Sequence, residues 1–122
     1  MAKPHATRDE RRELKNAHIE YRREGTALSR LFHRSDARRG LLVNISNGGV
    51  QFRTLEPLAE GLRLSATLTL PEVHGAPTLK LQVRWAREER RIGGVEFTHV
   101  VGARFIEYSP EAWHVLKNMF HK

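Results

Sequence analysis

LLVNISNGGVQFRT, residues 41–54, reads as a strand, a tight turn and a second strand. Ser46-Asn47-Gly48-Gly49 carries the turn, because Asn-Gly and Gly-Gly are among the strongest reversers of chain direction. After it, Val50, Phe52 and Thr54 share one face, with Gln51 and Arg53 on the other, the period of a half-buried strand. Pro57 and Gly61 then interrupt the pattern.

The same alternation continues toward the C-terminus. In LRLSATLTL (residues 62–70), Leu62, Leu64, Ala66, Leu68 and Leu70 point one way, and Pro71 to Pro77 reads as a loop. TLKLQVRWARE (residues 78–88) places Leu79, Leu81, Val83 and Trp85 on one side. IGGVEFTH and VVGARFIEY supply further strand material. A change of period comes in SPEAWHVLKNMF, where Trp113, Leu116 and Phe120 recur at helical spacing. Ser109 suits the helix N-cap, Pro110 the first turn and Glu111 the positive end of the helix dipole. The helix is expected over about 109–121.

Toward the N-terminus, AHIEY (residues 17–21) alternates apolar and polar side chains and predicts a strand, with Glu24-Gly25 turning the chain. TALSRLFHR (residues 26–34) alternates less cleanly and is read as strand, within an enlarged hairpin reaching to Arg39. Residues 1–15 hold Leu14 as their one large apolar side chain after Met1, and are expected to be a flexible basic arm. The residues thus predict one domain, all-β: a small antiparallel barrel or sandwich over residues 16–122 with a terminal helix against it. Trp85, Trp113 and Phe105 read as core or helix-packing residues in preference to a base-stacking platform.

Composition bounds the function. The chain has 122 residues with 21 Lys and Arg against 14 Asp and Glu, a formal charge of +7. Residues 1–39 carry 11 basic and 6 acidic side chains and the remainder 10 and 8, so the positive field is concentrated at the N-terminal end. Such a field favours an anionic partner without naming it. There is no cysteine, which excludes disulfides and thiolate metal sites and suits a cytoplasmic setting. No apolar run reaches the length of a membrane span, and the first residues lack the apolar segment of a secretory signal. Seven histidines are scattered without metal-ligand pairing. Ser46 sits in a turn with no base beside it in sequence, and no phosphate-binding loop of the Gly-rich, Lys-Ser/Thr kind occurs. A binding module, not an enzyme, is expected, with no metal and no catalytic residues.

Two motifs sharpen this. Asn44-Ile45-Ser46-Asn47-Gly48-Gly49 fits (Asp/Asn)-x-Ser-x-x-Gly at the end of one strand and before another. Upstream, Arg8-Asp9-Glu10-Arg11-Arg12 fits Arg-x-x-x-Arg and adds Arg11 as a third guanidinium. With these motifs, AHIEYR, LKLQVRWARE and VVGARFIEYSPEAWHVL, the chain resembles the PilZ family over nearly its whole length. The resemblance implies a six-stranded antiparallel β-barrel with a C-terminal helix. It also implies that an N-terminal arginine arm folds over cyclic di-GMP bound on the barrel surface. Arg8, Arg11, Arg12, Asn44, Ser46, Gly48 and Gly49 would then contact the ligand, with no other cofactor. The implied outputs run through a downstream protein partner in motility, pilus or exopolysaccharide control. The spacing between Arg12 and Asn44 is long for the family, and Arg22 or Arg23 (with His18 in the first place) and Arg30 with Arg34 are alternative pairings.

The chemistry suits the ligand independently. A guanidinium makes paired hydrogen bonds to phosphate oxygens or to the O6/N7 edge of guanine, and its plane stacks on a base. Asn44 and Ser46 offer donors and acceptors, and Gly48 and Gly49 are expected to permit positive φ and close backbone approach. Two other readings remain at this level: an adaptor of the same fold that binds protein without nucleotide, and, ranked last, a basic barrel for single-stranded nucleic acid. The turn by itself is also ordinary hairpin chemistry.

Overall fold

The computed structural model describes residues 12–24, 37–46, 48–71, 73, 75–89 and 99–120. Its elements are β1 (Arg12–Glu13), β2 (His18–Arg23), β3 (Arg38–Ile45), β4 (Gly49–Thr54), β5 (Arg63–Thr69), β6 (Thr78–Glu88), β7 (His99–Tyr108) and α1 (Pro110–Phe120). The expected strands at 26–34 and 92–98 lie outside the described residues.

Six of these strands form a closed antiparallel barrel in the order β3-β2-β5-β6-β7-β4, with the β3–β4 pairing completing the circle. Its interior is filled by the alternation read from the sequence. Ile19 and Tyr21 of β2 meet Leu68 and Ala66 of β5, while Phe52 of β4 meets Leu42 and Val101, all of them buried. Removing this apolar surface from water is the main force holding the barrel closed. Tyr21 is the polar exception at the core edge. Its ring packs 5.4 Å from that of Phe52, and its hydroxyl meets Thr54 Oγ1 at 2.6 Å and donates to Glu56 Oε2 at 2.7 Å. Glu56 is held in turn by Arg23 at 2.9 Å and Arg38 at 3.7 Å.

The helix begins as its N-cap predicts, with Ala112 N–H donating to Ser109 Oγ at 3.1 Å. Among its described side chains, however, Ala112 and Leu116 are the buried ones, whereas Trp113 is 49% exposed and lies beside Tyr108 at 5.4 Å. Of the expected face, Leu116 is buried as read and Trp113 is turned outward, while the side chain of Phe120 lies outside the described residues. Among the described residues, no helix is long and apolar enough to cross a membrane.

Three irregularities interrupt the period-two pattern, and two of them shape the outer wall. Between Leu42 and Asn44 the β3–β4 register shifts by one, leaving Val43 unpaired. Between Val83 and Trp85 the β6–β7 register shifts likewise, leaving Arg84 unpaired. An extra residue reverses which face the next side chains occupy. Trp85 therefore does not join Leu79, Leu81 and Val83 in the core. It is half-buried on the outer wall, and Ala86 takes the inward position against the core. Phe105 also packs on the core only partly buried.

Candidate functional site

The residues that follow the two bulges, Asn44 and Trp85, fall in one row of the barrel wall. Asn44 pairs with Gln51, Gln51 with Gly102, and Gly102 with Trp85, giving one row of outward positions across β3, β4, β7 and β6. The adjacent row runs Gly49, Arg104 and Gln82. Between and above these rows lies an open depression of about 320 Å³. Its lining includes Asn44, Ser46, Gly48 and Gly49 from the turn side, and Arg84, Trp85 and Arg104 from the far side.

Of the site residues expected from the sequence, Asn44, Ser46, Gly48 and Gly49 thus come together. Asn44 is 8% exposed and donates from Nδ2 to Gln51 Oε1 at 3.2 Å, so its carboxamide is oriented by a neighbour in the same row. The turn is closed by Ser46 N–H donating to Gly49 O at 2.9 Å, and Ser46 Oγ accepts from Gly48 N–H at 3.2 Å. Gly48 O accepts from Phe105 N–H at 3.0 Å, which stitches the turn to β7. Ser46 thereby fixes a local corner, as short hydroxyl side chains do in turns.

The reason for the glycines differs from the one expected. Gly49 does not have a positive φ; the described glycines that do are Gly61 and Gly75. A Cβ at Gly49 would instead collide with the Ala103 carbonyl of β7, so glycine is required by the closeness of the neighbouring strand. A Cβ at Gly48 would meet nothing within 4 Å, which leaves that backbone open to the depression.

Sequence reasoning missed Arg84, Trp85, Gly102 and Arg104 as site residues. Arg104 is held by Gln82, its Nε and Nη2 donating to the same Oε1 at 3.1 and 2.8 Å. Among the described residues, no carboxylate lines the depression. Two guanidinium groups and no opposing acid make it a surface suited to an anion. The missing signal was topological: β4 and β7, distant in sequence, become neighbours only in the folded barrel, and neither bulge is marked by Gly or Pro.

Arg12, Glu13 and Leu14, expected within a flexible arm, are instead part of the barrel at the same corner. Arg12 pairs with Ile45 and Glu13 with Asn44, and Leu14 N–H donates to Val43 O at 3.0 Å. Leu14 packs against the core, and Asn16, at φ 57°, turns the chain from β1 into β2. Asparagine tolerates this left-handed conformation better than most side chains. Arg8 and Arg11 lie outside the described residues, as do Arg30 and Arg34. Arg22 and Arg23 sit at the other end of the barrel wall, where Arg23 is engaged with Glu56.

The family model of the PilZ domain matches residues 7–121. The chain belongs to the PilZ domain family. Among solved structures it is similar to the PilZ domain of YcgR from Escherichia coli, determined with c-di-GMP. That likeness has 19% identity and a TM-score of 0.62, covering 89% of this chain and 84% of that one. It is also similar to MrkH, described as a c-di-GMP-dependent transcription regulatory factor, at 18% identity and a TM-score of 0.63. That match covers 89% of this chain and 47% of MrkH. At such identities the likeness establishes the PilZ barrel itself. No curated protein matches the chain.

Proposed function

We propose that this PilZ domain is a non-catalytic receptor for cyclic di-GMP, which binds in the depression on the outer wall and is covered by the N-terminal arm. One juxtaposition carries the reading: the β1 residues Arg12 and Glu13 are paired with Ile45 and Asn44, at the rim of the depression. Paired strands lie about 5 Å apart. Chain connectivity then keeps Arg8 within roughly 14 Å of Arg12, whatever path the arm takes. In this reading the pairing at Arg12 is the tether from which Arg8, Arg11 and Arg12 reach Asn44, Ser46, Gly48 and Gly49. The similar YcgR domain was determined with c-di-GMP, which supports the choice of anion.

In this reading the arginines supply forked donors to phosphate or guanine, and Asn44 and Ser46 hydrogen-bond at the opposite edge. The open backbone at Gly48 admits a flat ring at close range. Engagement of the N-terminal arm with the ligand, pivoting on β1, creates a surface that a downstream protein partner reads in the cytoplasm.

Calorimetry of the full chain with cyclic di-GMP tests this. Saturable heat is expected at micromolar ligand, and Arg12→Ala is expected to weaken binding far more than Arg34→Ala. No heat at high micromolar ligand contradicts the receptor reading. The reverse order of the two variants contradicts the assignment of the arm.

A further inference from the structure

Trp85 occupies an unusual position for the largest side chain of a barrel strand. The Arg84 bulge turns it outward, and it lies against Gly102 so closely that a Cβ there would overlap the indole. One side of the ring is thus seated on bare backbone. Arg87, two residues further along β6, places its guanidinium carbon 4.9 Å from the centre of the Trp85 ring. Arg87 is exposed, and among the described residues it has no ion pair. The nearby Arg53 differs, because it is engaged with Glu89 at 2.8 Å. The Arg87 guanidinium therefore sits over the indole and, among the described residues, is drawn away by no ion pair.

We infer that Trp85 and Arg87 form a base-stacking platform at the rim of the depression, on which a purine ring of the ligand lies against the Arg87 guanidinium. The inference rests on the receptor reading above and names what holds one base. The indole restricts the guanidinium, so less freedom is lost when a base stacks on it. A purine added to the outer face displaces no existing contact, whereas insertion beneath Arg87 would have to break the cation–π pair. The positive charge remains next to the ligand's phosphates, where Arg84 and Arg104 already line the depression. Arginine planes are recurrent stacking surfaces for bases, and lysine has no plane to offer.

The test is calorimetric titration of the full chain with cyclic di-GMP for the wild type, Arg87→Lys, Arg87→Ala and the pair Trp85→Ala with Arg87→Ala. Arg87 is exposed, so both single variants are expected to melt with the wild type. The platform predicts that Arg87→Lys and Arg87→Ala each weaken binding about tenfold, the scale of one stacked base. It also predicts that adding Trp85→Ala to Arg87→Ala costs little more. Wild-type affinity in Arg87→Lys means that only charge is used at this position and overturns the platform, leaving the receptor reading intact. Absence of binding by the wild type removes the receptor reading and the platform with it.

Discussion

Gly49, Gly102 and Gly48 all border the depression, but a side chain would meet something different at each. At Gly49 the obstacle is the Ala103 carbonyl, part of a strand that cannot yield without breaking its ladder. At Gly102 the obstacle is the Trp85 ring, which can swing away, and at Gly48 there is none within 4 Å. Overpacking of this kind costs about 1–3 kcal/mol where the neighbour cannot retreat. Chemical denaturation should therefore rank the alanine variants with Gly49→Ala least stable, Gly102→Ala intermediate and Gly48→Ala close to wild type. Gly102→Ala carries a second signature, because displacing Trp85 should also weaken ligand binding. A Gly48→Ala variant as unstable as Gly49→Ala would contradict this assignment of space.

Among the elements, β2 and β4 are tied by a polar knot at the edge of the apolar core. The Tyr21 hydroxyl donates to Glu56 and meets Thr54 Oγ1, which must supply its own proton to that contact. Burial pushes the phenol above its ordinary value, and the hydrogen bond and charge of Glu56 add to this while Thr54 opposes it. A raised value means that the folded state holds the proton more tightly than the unfolded chain. This contribution to stability is complete below about pH 10, the unfolded tyrosine value, and is lost as the pH rises through the higher folded value. Tyr21→Phe leaves Thr54 and Glu56 short of a partner and should cost about 1–3 kcal/mol near neutral pH. Urea denaturation at neutral and alkaline pH checks both parts: the variant should be less stable at pH 7 and should lack the tyrosine-linked decline above about pH 10. Equal stability at neutral pH would mean that the knot contributes nothing net. The knot lies at the Arg38 end of β3 and the depression at the Ile45 end. The substitution is therefore expected to leave the ligand surface in place.

For the whole molecule, the barrel was legible because its interior obeys a period of two over most of each strand. Leu64, Ala66 and Leu68 are buried as their alternation requires, and Ser109 caps the helix as its place before Pro110 predicts. The Asn44–Gly49 turn was legible for the same local reason: its geometry is made by Ser46 and its own backbone. What could not be read was whatever depends on strands meeting across the closed barrel. Trp85 follows the apolar alternation up to Val83 and leaves it at the Arg84 bulge, so sequence parity assigned it to the wrong face. Arg104 and Gly102 reach the depression only because β7 lies between β4 and β6. Trp113 misled in another way: the helix turns its small Ala112 inward and leaves the large ring outside. The arm required both kinds of knowledge. Arg12 was visible in the sequence, but its pairing with Ile45 was not.

The central claim is that the arm and the turn grip one ligand together, and amide NMR shifts during titration of the full chain with cyclic di-GMP measure it directly. Residues 8–12 and residues 44–49 are expected to shift together and to saturate at one common ligand concentration. Shifts at 44–49 with residues 8–12 unmoved, or shifts gathered instead around Arg23, Arg38 and Glu56, would contradict it.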